Sequence, residues 1–115
     1  MTLAYFWQWL GAFAFTQAVE IPIYMRPLTG RFMVAFGASA LTHPVLWFVF
    51  PRIHAFQGDY WYGVGCAEGF AVVVEAVWIF CFGVRPALQA LMWSILANGM
   101  SFGLGLVSRY YFNFP

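Results

Sequence analysis

Glu20, His43, Glu68 and Glu75 are the residues of this 115-residue chain that could do chemistry, because each stands inside a long apolar run. On the lenient insertion scales a charged side chain at the centre of a membrane helix costs about 2.5–3.5 kcal/mol. Such groups turn inward, find partners and serve a purpose. Glu68 and Glu75 are seven residues apart, which puts them on one face of a helix. Ser39 and Ser94 each stand four residues before a polar group, His43 and Asn98, and read as interhelical hydrogen-bonders.

Three chemistries fit this set. Held neutral, the carboxyls would act as donor–acceptors that fix helix register. A ladder of carboxyl, imidazole and carboxyl at stepped depth is what a proton or cation path needs, since each site hands its charge to a neighbour. A metal is the third reading: His43 with Glu68 and Glu75 would suit iron, zinc or manganese. No Glu-x-x-His pair of the di-iron bundle type is present. A haem or chlorin would have His43 as its single embedded ligand, because His54 falls in a loop. The sequence requires no cofactor, so none is assigned. It also lacks a nucleophile triad, a phosphate loop, a metal-finger spacing and a dinucleotide fingerprint. The expectation is therefore a protein that is not an enzyme.

The elements that position these residues follow from composition. The chain is 63% hydrophobic and 8% charged, with no lysine and a net charge of +1. A soluble domain carries about 25% charge, and nothing here suits nucleic acid. A membrane helix takes about 20 apolar residues, so four of them use nearly the whole chain. The expected fold is all-α: a polytopic membrane four-helix bundle, one transmembrane domain over 1–115, with spans at about 3–24, 32–50, 60–82 and 87–108. The lipid bilayer is the first partner. The N-terminus lacks the basic region of a signal peptide and reads as a retained first helix.

Met25–Arg31 and Gly83–Pro86 read as tight turns, with Pro86 in the first turn of the last helix, and Pro51–Asp59 as the longest loop. Trp7, Trp9, Tyr60, Trp61, Tyr62, Arg109, Tyr110 and Tyr111 read as interfacial anchors. Arg26, Arg31 and Arg85 lie in the tight turns; Arg52 and Arg109 lie at the other end. The positive-inside rule then puts the turns in the cytoplasm and both termini on the non-cytoplasmic side. Cys66 and Cys81, fifteen residues apart on one helix, are too distant to pair and read as buried, inert thiols.

The halves look duplicated. A shift of 55 residues places Glu20 on Glu75, Ser39 on Ser94 and His43 on Asn98 without a gap. Each half would be a helical hairpin, and the two would form parallel repeats related by an axis along the membrane normal. A polar stripe runs along each helix: Thr16, Gln17, Glu20 and Tyr24; Ser39, Thr42 and His43; Glu68 and Glu75; Ser94, Asn98 and Ser101. Pro44 should free the carbonyl of Ala40, which Thr42 or His43 could satisfy, and Pro22 does the same to Ala18. Gly65-x-x-x-Gly69 and Gly99-x-x-x-Gly103 could join the third and fourth helices or dock another subunit.

Glu20-Ile21-Pro22, Leu41-Thr42-His43-Pro44, Glu68 with Glu75, Ser94-Ile95-Leu96-Ala97-Asn98 and Ser101-Phe102-Gly103 together resemble small four-helix bacterial integral membrane proteins of uncharacterised function. The resemblance covers most of the chain from Glu20 to Gly105. It implies a bacterial inner-membrane bundle and carries over no activity. The leading expectation is a small integral membrane subunit that packs within a larger membrane protein complex or a homo-oligomer. The alternative is a small proton, cation or metal transporter or channel that uses the buried Glu and His residues.

Overall fold

The computed structural model describes residues 2–113. Among them the chain forms four long helices and no strand: α1 (Leu3–Tyr24), α2 (Phe32–Phe48), α3 (Tyr60–Cys81) and α4 (Ala87–Phe112), with short 3-10 turns at Phe50–Arg52 and His54–Phe56. Side chains at the helix starts explain several boundaries. Thr2 caps α1 by accepting from the Tyr5 amide at 3.0 Å. Asp59 caps α3 by accepting from the amides of Trp61 and Tyr62 at 3.0 and 3.2 Å. Gly30 and Gly83 take φ of 81° and 110°, which lets the chain reverse in the two tight turns.

The α1 boundaries match expectation, and the others shift for physical reasons. α2 ends at Phe48, and the expected last residue, Phe50, opens the 3-10 turn that contains Pro51. Pro86 stands just before α4 and not within it; its carbonyl accepts from the amides of Gln89 and Ala90 at 2.9 and 3.2 Å. α4 continues past Ser108, so Arg109, Tyr110 and Tyr111 are helical. Pro22 and Pro44 both lie inside unbroken helices.

The helices form a ring in chain order. Each packs on its neighbours in sequence, and α4 closes on α1, leaving α1 opposite α3 and α2 opposite α4. Neighbours run antiparallel. Tyr5, at the start of α1, donates to the Trp47 carbonyl near the end of α2 at 2.5 Å. Arg31, just before α2, donates to the Phe82 carbonyl just after α3 at 2.5 Å and to the Leu28 carbonyl at 3.0 Å, which ties the two tight turns together.

The interior is polar where a soluble bundle would be apolar. Glu20, Glu75, Ser39, Thr42 and Ser94 are among the largest fully buried side chains. Leu3, Phe32, Met33, Leu41, Val73, Val77, Leu88, Met92, Ile95 and Leu96 lie exposed on the outside. Exposing that much apolar surface is costly in water and costs nothing in lipid. Three helical segments are long and apolar enough to cross a membrane: Phe32–Arg52, Tyr60–Cys81 and Ala87–Phe112. α1 has the length, 22 residues, but Gln8, Gln17 and Glu20 dilute its hydropathy.

Close packing falls on a glycine that the spacing rule does not mark. A Cβ on Gly37 of α2 would come within 2.6 Å of the Trp78 ring of α3, and the Trp78 indole donates to the Val34 carbonyl at 2.9 Å. Gly65, Gly69, Gly99 and Gly103 would each meet nothing within 4 Å. They do not join α3 to α4, because they face away from that contact. Cys66 is half-buried and Cys81 exposed, both unpaired, so neither thiol is buried as expected. Trp9 stacks on Phe13 at 5.3 Å and packs against Phe6 and Phe48.

Candidate functional site

Glu20 and Glu75 come from diagonally opposed helices and meet in the centre of the bundle. Each is only 1% exposed. Glu20 lies one turn before the end of α1, and its carboxyl accepts from Ser39 of α2 and from Ser101 of α4, the latter at 2.6 Å. Glu75 of α3 accepts from the Tyr24 hydroxyl at 2.6 Å, from Thr42 at 2.6 Å and from the Asn98 amide at 3.0 Å. The two carboxyls also interact electrostatically with each other. All five donors are neutral, and all four helices contribute to the cluster.

A further layer holds the donors. Asn98 also donates to the Ser94 carbonyl at 3.0 Å. Ser94 donates across to the Val72 carbonyl of α3 at 2.7 Å. Thr42 has the Ala38 carbonyl as a second acceptor at 3.4 Å. Thr42 therefore does not satisfy the Ala40 carbonyl freed by Pro44. His43 does not either: its Nε2 is 3.3 Å from the Thr16 hydroxyl and its Nδ1 has no partner.

His43 is 8% exposed and lies between aromatic rings, 5.5 Å from Phe13 and 6.2 Å from Trp47 between centroids. It touches neither carboxyl of the central pair by hydrogen bond. The expected Glu–His–Glu ladder is thus not a bonded chain. Glu68 is half-buried and lies two turns from Glu75, close enough to feel its charge. Among the described residues, no three His, Cys, Asp or Glu side chains converge as metal ligands would, so His43, Glu68 and Glu75 do not make a metal set.

What unites these residues is a cavity of about 600 Å³. Tyr5, Trp47, Phe50, Pro51, Tyr60 and Arg109 line it where α1 and α3 begin and α2 and α4 end. Deeper in, His43 and Glu68 line its wall, and Glu20, Thr42, Glu75, Asn98 and Ser101 line its foot. Beyond the foot the tight-turn end is closed by Tyr24, Leu28, Ile79 and Val84, all buried. The cavity thus enters from the long-loop end and stops at the carboxyl pair.

The site contains Glu20, Ser39, Glu75 and Asn98 of the expected residues, with Ser94 behind them and His43 and Glu68 on the wall. The donors Tyr24, Thr42 and Ser101 were visible only as members of the polar stripes. Their helical offsets, four from Glu20 for Tyr24 and three from Asn98 for Ser101, were the available signal. No family, curated protein or solved structure matches this chain.

Proposed function

We propose that this chain is a small integral membrane protein whose bundle interior binds a cation, the proton included, at the Glu20–Glu75 pair. One observation carries the reading: two buried, mutually interacting carboxyls stand at the foot of a cavity, and every donor to them is neutral. Burying a carboxylate without a counter-charge is costly, so protons or a bound cation complete this pair. Glu68, on the wall between the foot and the mouth, serves as the entry carboxyl. The tight-turn end is closed by buried side chains, so the bundle carries the cation across as a transporter whose two ends open in turn, and not as a continuous channel.

The test is reconstitution of the full chain in liposomes with a pH or cation-sensitive dye inside. Glu20→Gln and Glu75→Gln should abolish flux while the protein still assembles. Flux undiminished in both variants overturns the reading.

A second reading concerns assembly and is compatible with the first. Gly65, Gly69, Gly99 and Gly103 have open space around them. Their smallness is unused within the chain, which supports a membrane subunit packing in a homo-oligomer or a larger complex. The halves are further read as duplicated hairpins in parallel repeat, supported by the ring order of the helices and the 55-residue offset that relates Ser39 to Ser94 and His43 to Asn98. Both termini on the non-cytoplasmic side belong to the same proposal, supported by the arginine excess at the tight turns; a bacterial inner membrane is what the resemblance of the motifs implies. Reporter fusions at each terminus test the sidedness.

A further inference from the structure

The cavity is far larger than a proton or a bare metal ion needs. Ligand pockets for organic molecules span about 300–1,000 Å³, with mostly apolar and aromatic walls and a few convergent polar groups. This cavity, of about 600 Å³, has that make-up: Tyr5, Phe15, Trp47, Phe50 and Phe102 line it alongside the polar groups of its foot. Aromatic faces attract cations as well as apolar surface does. The charged lining is three carboxyls, Glu20, Glu68 and Glu75, against one guanidinium, Arg109 at the mouth. His43, more than nine-tenths buried and also in the lining, leaves Nδ1 without a hydrogen-bond partner. That is unfilled polar capacity beside the path to the carboxyls.

We infer that the cavity is a binding site for a lipophilic organic cation, with the aromatic walls holding its body and Glu68 and Glu75 its charge. The inference rests on the proposed cation site and adds the class of ligand. Size separates it from an inorganic cation, which would leave most of the space empty or wet. The sign of the lining separates it from a neutral or anionic amphiphile. Because the carboxyls are buried beside neutral donors only, entry of the cation displaces a proton, and the two exchange.

The test uses the full chain in lipid nanodiscs with tetraphenylphosphonium as the probe, equilibrium dialysis against empty nanodiscs, and a pH indicator in weak buffer. The expected result is saturable binding, one per chain, with release of a proton. Glu75→Gln should weaken it at least tenfold. Glu68→Gln, at a half-buried position outside the central cluster, should weaken it severalfold and guards against a folding failure at Glu75. Triphenylphosphine oxide, neutral and of similar bulk, and sodium in large excess should not displace the probe. Equal competition by the neutral compound would overturn the inference, since the pocket would then recognise bulk alone. Absence of saturable binding would overturn it too. If Glu75-dependent proton or sodium flux persisted in liposomes in that case, the proposed cation site would stand; if flux were also absent, both would fall.

Discussion

Replacing Glu75 by leucine and by glutamine separates the carboxyl's packing role from its charge. In the leucine variant three donors lose their acceptor: Tyr24 at 2.6 Å, Thr42 at 2.6 Å and Asn98 at 3.0 Å. They are not equally stranded. Thr42 keeps the Ala38 carbonyl and Asn98 keeps the Ser94 carbonyl, but Tyr24 donates to Glu75 alone among its contacts. A buried donor left unsatisfied costs about 1–3 kcal/mol. The two weakened contacts add about 0.6 kcal/mol each on the average for membrane helices. The sum is roughly 2–4 kcal/mol, and leucine recovers little of it because lipid is as apolar as leucine.

Glutamine keeps an oxygen for Tyr24 and Asn98. Its amide nitrogen faces Thr42, whose hydroxyl can turn to accept. The cost should stay below about 1 kcal/mol. A gap of about 2 kcal/mol between the variants is a factor of roughly 30 in the folding equilibrium. Steric-trap unfolding in bicelles resolves such a gap. Equal loss in both variants would refute the reasoning, because the negative charge and not the hydrogen-bond geometry would then hold the bundle. No loss in the leucine variant would refute it as well, since the polar cluster would contribute nothing.

Further outcomes follow from the packing. Gly37→Ala should destabilise the protein by about 1–3 kcal/mol, because its Cβ would come within 2.6 Å of the Trp78 ring; the same unfolding assay reads it. Gly65→Ala and Gly99→Ala should leave the folded chain unharmed or gain up to about 1 kcal/mol in helix propensity, and a drop in oligomer mass by native mass spectrometry would assign them to a subunit contact. Arg31→Ala should loosen the two tight turns by about 0.5–1.5 kcal/mol, since the exposed guanidinium loses its hydrogen bonds to the Leu28 and Phe82 carbonyls, with faster hydrogen exchange confined to that end.

The sequence alone determined that this chain is all-helical with membrane-compatible helices, and it marked most of the polar residues that end up buried in the bundle. Helical segments of about 20 apolar residues broken by Arg, Pro and Gly can be read locally, since helix formation and lipid compatibility depend on neighbours in the chain. α1 was placed to the residue and the starts of the other three helices were correct. Buried ionisable residues stand out for the same reason: each contrasts with its own surroundings. What followed from distant contacts was not legible. The spacing rule marks Gly65, Gly69, Gly99 and Gly103, but whether a glycine is needed depends on what faces it, and it is Gly37 that meets a ring at close range.

The tertiary structure also decided the pairing of the polar groups. Each stripe shows which face of its helix is polar but not the height or rotation at which four stripes meet. Those depend on helix packing across the bundle, which brings Tyr24, Thr42 and Asn98 onto Glu75, and Ser39 and Ser101 onto Glu20. Packing likewise leaves His43 with Thr16 instead of with an acid. The cavity is the furthest from the sequence, because empty space belongs to no residue: it exists only where side chains from all four helices fail to meet.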